Sequence, residues 1–121
     1  MNKRPLSITI ISWLFIVMGS LALISGFVPN SHTTVAQRVA DVPSHWYVHL
    51  SRIVEIVGGV FMLSGRNWAR WLMVAWLVFH VYVGALHSPV QLILHSLLFI
   101  VGIFFLFRRP AADYFRGSEG A

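Results

Sequence analysis

Long apolar runs broken by short polar punctuation dominate the chain. Leu6 to Val28 carries no charged side chain, and a stretch of roughly 20 apolar residues is what a helix needs to cross the hydrocarbon of a bilayer. Three further runs follow, and the pattern predicts helices over about 6–28, 45–64, 68–86 and 90–107. The first run exceeds the roughly 7–15 apolar residues of a signal peptide, and Ser25-Gly26-Phe27-Val28 is a poor cleavage site, so a retained span is expected.

The punctuation between the runs is as informative. Pro29-Asn30-Ser31 ends the first, and residues 29–44 form the one extended polar loop. Within that loop Val35 and Val39 follow Thr33 and Thr34, which permit a capped, short amphipathic helix at the membrane interface, with an irregular loop as the alternative. Pro43-Ser44 opens the second span, with Ser44 as the expected N-cap. Gly65-Arg66-Asn67 and His87-Ser88-Pro89 make the next two turns, and Arg108-Arg109-Pro110 stops the fourth span before a tail over 108–121. The expected architecture is a single all-α domain, an integral membrane four-helix bundle.

Composition changes little in this picture. The chain is 57% hydrophobic and 11% charged, far from the roughly one-quarter charged residues of a soluble domain. The formal charge of +5 is distributed as a topology signal, at the ends of apolar runs, and not along one face as nucleic-acid binding requires. With four spans, Lys3, Arg4, Arg66, Arg70, Arg108, Arg109 and Arg116 fall on one side, against Arg38 on the other. The positive-inside rule then makes both termini cytoplasmic, with 29–44 an external loop of a protein of the bacterial inner membrane. The absence of cysteine removes disulfides, thiolate catalysis and thiolate-bound metals.

Polar residues inside the spans mark where chemistry is expected, because ionisable groups are costly in hydrocarbon. On the second span His45, His49, Arg52 and Glu55 recur at spacings of four, three and three, which share one broad helical face. The third and fourth spans add His80, His87, Gln91 and His95. The expected orientation places all eight in the outer half of the bundle, around one outward-facing cavity. Small residues recur every seven positions as Ser12, Gly19 and Gly26, and as Ser51, Gly58 and Gly65, which suits close helix packing within the chain, in a homo-oligomer or against a membrane-complex partner.

Three functions fit such a cluster. In the first, Arg52 and Glu55 pair, and the protein is a non-enzymatic binding or assembly component. In the second, histidines hold a divalent metal or a haem, with His80 and His95 as the candidate ligand pair. In the third, Glu55 is the proton-binding group of a proton-coupled small-molecule transporter. Catalysis is not expected, since no serine has an evident base and no carboxylate pair has catalytic spacing.

The opening Lys3-Arg4-Pro5-Leu6-Ser7 and the Gly65-Arg66-Asn67-Trp68-Ala69-Arg70 turn, set in this layout, resemble small four-span proteins of the bacterial inner membrane. The resemblance implies the fold and location already inferred and carries over no functional residue. Small multidrug-resistance transporters share the length and span number, but their essential glutamate lies in the first helix, which is uncharged here.

Overall fold

The computed structural model describes residues 3–119. It is all-α: α1 (Leu6–Ser25), α2 (Val35–Ala40), a 3-10 turn (Val42–His45), α3 (Trp46–Leu63), α4 (Asn67–His87), α5 (Pro89–Phe107) and α6 (Arg109–Glu119). Four helical segments, Leu6–Ser25, Val42–Leu63, Asn67–His87 and Pro89–Phe107, are long and apolar enough to span a membrane.

Local chemistry explains the boundaries, including those the pattern misplaced. α1 ends at Ser25 and not at Val28. The N–H groups of Phe27 and Val28 reach the carbonyls of Ile24 and Ser25 at 3.0 and 3.3 Å, tightening the end into three-residue turns, and Pro29 disfavours helical geometry for Val28 before it. α2 has a complete capping box: Thr34 Oγ1 accepts the Gln37 N–H at 3.3 Å, and Gln37 Oε1 accepts the Thr34 N–H at 2.7 Å. Ser44 is not the cap of α3. It lies inside the 3-10 turn, whose Asp41 carbonyl accepts from the Ser44 and His45 N–H groups, and His45 occupies the N-cap position.

The α3–α4 turn closes with the paired bonds of a Schellman motif, Arg66 N–H to Phe61 O at 3.0 Å and Gly65 N–H to Met62 O at 3.1 Å. It requires the left-handed conformation at Gly65, where φ is 75°. α5 starts on Ser88, whose hydroxyl accepts the Gln91 N–H at 3.2 Å, and Pro89 occupies its first turn.

The expected tail is instead helix α6, and it completes the core. Pro110 has no N–H to offer the carbonyl four residues back, at Leu106, so α5 cannot continue through it. The Leu106 carbonyl instead accepts Nη1 of the buried Arg70 at 3.4 Å. The chain turns at Arg108 and folds α6 back, burying Ala111, Tyr114 and Phe115 with Ile8, Met62, Met73 and Leu106. The Arg70 guanidinium lies 4.5 Å from the Phe107 ring centre and 5.2 Å from that of Phe115, a cation–π setting for a charge withdrawn from water.

α1 packs mainly on α3, α3 on α4 and α4 on α5, while α1 and α5 touch lightly. Small residues allow the closest approaches. A Cβ on Gly19 would lie 2.8 Å from Ile56 Cγ1, and one on Gly59 would lie 2.7 Å from the Ser12 carbonyl, so α1 and α3 meet almost backbone to backbone. Gly58 faces the other way, onto Met73 of α4. At the far end from α2, Arg4 Nη1 and the Tyr114 hydroxyl both donate to the Leu63 carbonyl, at 3.0 and 2.8 Å. The two ends of the described chain therefore meet at the same end of the bundle.

Candidate functional site

The apolar core fills that end, and one helical turn beyond it the packing opens. A cleft of about 360 Å³ lies between α1, α3 and α4. Its polar wall is Arg52 and Glu55 from α3 and His80 from α4, and its apolar wall includes Met18 and Ala22 of α1 with Trp76 and Phe79 of α4. Glu55 is buried, at 8% exposure, close to the point where α1 passes α3 at Gly19. Met18 and Phe79 on the rim are 57% and 40% exposed, so the mouth opens sideways across the flank of the helices.

Arg52 and Glu55 line this cleft without pairing. Among the described residues the ion pair within 4.0 Å is Arg116 with Asp113, at 2.6 Å on the exposed face of α6, and neither Arg52 nor the Glu55 carboxyl makes a side-chain hydrogen bond. The guanidinium of Arg52 points along α3 toward Gly26, whose added Cβ would lie 2.9 Å from Arg52 Nη1 and 3.5 Å from His49 Cε1. The close ion pair anticipated from their three-residue spacing does not form: Glu55 lies against Gly19 and Arg52 against Gly26, seven residues further along at the end of α1, although the Arg52 charge still acts on the Glu55 carboxyl.

His80 is held rigidly. Its Nδ1 lies 2.9 Å from the Trp76 carbonyl, and since a carbonyl can only accept, Nδ1 carries the proton and Nε2 is left for other partners. The ring lies over Trp76, with centroids 3.8 Å apart. Trp76 is fixed in turn by donating Nε1–H to the Ser51 carbonyl at 2.9 Å, which ties α4 to α3 at the wall of the cleft.

The other polar residues take different places. His49 stacks on Phe27, centroids 5.3 Å apart, beside the Arg52 guanidinium. His95 of α5 meets His80 edge-on at 5.8 Å but faces a separate surface depression among Leu94, Leu97, Leu98 and Val101. His45 and His87 are exposed and approach carbonyls four residues back on the chain, at Asp41 and Val83. Gln91 is exposed in the first turn of α5. The single cavity expected from eight residues is thus a cleft walled by Arg52, Glu55 and His80, with His49 and His95 adjoining it and His45, His87 and Gln91 outside.

The seven-residue stripes also divide. Ser12 and Gly19 are buried against α3 and Gly26 approaches Arg52, whereas Ser51 serves through its carbonyl, Gly58 faces α4 and Gly65 forms the turn. Gly59, outside the stripe, is the α3 glycine that receives α1. The contribution of Met18 and Ala22 to the cleft had no signal in the sequence, because apolar wall residues look like any other lipid-facing positions.

His80 and His95 do not leave room for a haem between them. Gly84 of α4 lies against His95, with an added Cβ 2.7 Å from its Nδ1, so α4 and α5 are in direct contact where a porphyrin between His80 and His95 would have to sit. Among the described residues no group of three or more histidine, aspartate or glutamate side chains has metal-binding proximity. Comparison with protein families, with curated proteins and with solved structures finds no match to this chain.

Proposed function

We propose that the chain is a multi-pass protein of the bacterial inner membrane, with both termini cytoplasmic, that binds a small ligand without transforming it. The observation that carries this reading is the open cleft in which Arg52, Glu55 and His80 stand without an ion pair between them. Ionisable groups within apolar helices call for polar partners, and a ligand in the cleft would supply them to Arg52 and Glu55. The orientation rests on the exposed basic residues Lys3, Arg4, Arg66, Arg108, Arg109 and Arg116, which belong to the end where Arg4 and Tyr114 meet Leu63.

Binding is favoured over passage because the cleft is one-sided. Below Glu55, Gly58 is filled by Met73, and Met62, Leu106 and Phe115 close the bundle without an exposed atom. Binding is favoured over catalysis because neither Ser51 nor Tyr47, the hydroxyl-bearing residues of the wall, makes a hydrogen bond to a histidine or carboxyl group among the described residues.

Cysteine placement tests this reading directly in a chain with no native cysteine. A thiol reacts as the thiolate, which apolar surroundings suppress. Ala22→Cys in the cleft should react with a small neutral maleimide, while Leu14→Cys on the exposed apolar flank of α1 should not. Equal inertness at both positions would overturn the polar-cleft reading.

A further inference from the structure

At the end of the bundle away from α2, α1 and α5 leave a groove of about 320 Å³ between them. Leu6, Ser7, Ile10 and Ile11 of α1 form one wall, and Phe105 of α5 with Arg108 just beyond it forms the other. Leu6 and Ile10 are exposed, so the groove lies open along the flank. Arg108 does not extend away from the span it follows. Its guanidinium lies 5.3 Å from the centre of the Phe105 ring, turned back along α5 at the wall of the groove. Among the described residues no carboxylate answers it, and Asp113 of α6 is bonded to Arg116. Ser7 Oγ, in the opposite wall, also lacks a hydrogen-bond partner.

We infer that this groove holds a phospholipid with a net-negative head, its phosphate on Arg108 and an acyl chain lying between α1 and α5. A basic side chain at the end of a span lies at headgroup level. The guanidinium is always charged and presents a planar fork of donors that matches two phosphate oxygens. Below it the groove is apolar and open at its side, so an acyl chain enters from the bilayer without parting any helix contact. Charge selects the head. Arg109 is exposed next to Arg108, and a zwitterionic head would bring its own cation to this basic end, whereas a net-negative head brings none. The groove is separate from the cleft, and its occupant does not depend on what the cleft binds.

The test uses phosphatidylglycerol and phosphatidylcholine carrying the same acyl chain, with a photoreactive diazirine close to the ester. Each is a trace component of neutral nanodiscs that hold the full chain, and cross-links are mapped by peptide mass spectrometry. Phosphatidylglycerol should label the segments 6–11 and 105–108 about fivefold more than phosphatidylcholine, the worth of one basic side chain at an anionic head. Arg108→Gln should abolish that preference while phosphatidylcholine still labels the same segments, which shows the groove intact. Arg116→Gln, at the same end but on the exposed face of α6, should keep the preference. Glycerophosphate in large excess, a phosphate without acyl chains, should not displace the label. Equal labelling by the two heads, or an equal loss of preference in both variants, overturns the assignment. Displacement by glycerophosphate overturns it as well, in favour of a soluble phosphate ligand.

Discussion

Glycine 59 shows how much a single hydrogen atom in place of a side chain decides. Its Cα faces the Ser12 carbonyl at a distance that leaves no room for a methyl group, and backbone cannot yield as a flexible side chain can. Gly59→Val should therefore lower stability by about 1–3 kcal/mol, the usual cost of overpacking, read as a lowered melting temperature in detergent. Gly58→Val meets side-chain instead of backbone atoms, Cγ and Sδ of Met73, but Met73 is fully buried in the core, so a similar loss of stability is expected. At Gly65 the penalty has another origin. With φ at 75°, Gly65→Ala should cost about 1–2 kcal/mol of left-handed strain. These distinctions were not legible in the sequence, where Gly58, Gly59 and Gly65 are equally small. Seven-residue spacing singled out Ser51, Gly58 and Gly65, but spacing does not say which neighbour each residue faces. Arg52 and Glu55 teach the same lesson: a spacing of three places two residues on one face, and rotamers decide whether they touch.

Among the elements, α6 is the one that the hydropathy pattern hid. Its buried side is Ala111, Tyr114 and Phe115, while Arg109, Asp113 and Arg116 lie on its exposed surface, so it has no apolar run to notice. The stop signal at Pro110 was correctly placed, yet it ended one helix in order to begin another. Phe115→Ala should destabilise the bundle by about 3–5 kcal/mol, the range for truncating a fully buried aromatic residue, measurable by chemical or thermal unfolding in detergent. Tyr114→Phe should cost about 0.5–1.5 kcal/mol, the net worth of one hydrogen bond, since Leu63 would keep its bond from Arg4. A melting temperature unchanged by Phe115→Ala would mean that α6 does not dock. By contrast, the four long helices were plain from the sequence because lipid-compatible length is a property of the run itself, independent of partners. α2 was foreseeable through Thr34 and Gln37, whose capping box acts within four residues.

For the molecule as a whole, the cleft follows from uneven closure. Where α6 caps the bundle, Ile8, Met62, Met73 and Leu106 interdigitate. Toward α2 no sixth helix intervenes, and α1, α3 and α4 part around Arg52, Glu55 and His80. Polar residues announced this region in the sequence, whereas its shape depended on which helices became neighbours, and α5 turned out to stand behind His80 without walling the cleft. The proposed orientation has its own test at this scale. Arg38→Cys should react with a membrane-impermeant maleimide added to intact cells, and Arg66→Cys only after the membrane is opened. The opposite pattern would invert the topology and with it the side from which the cleft is approached.

The carbonyl of Leu63 gives these relations an order in time. It receives Arg4 from the start of the chain and Tyr114 from its far end, and α6 is the last described helix to be synthesised. The first four spans can be threaded into the bilayer while their cytoplasmic end is still open, under the orientation proposed here. Closure at Leu63 then becomes a finishing step of biogenesis, and a chain stopped after Phe107 would be inserted but left unsealed, a substrate for quality-control proteolysis.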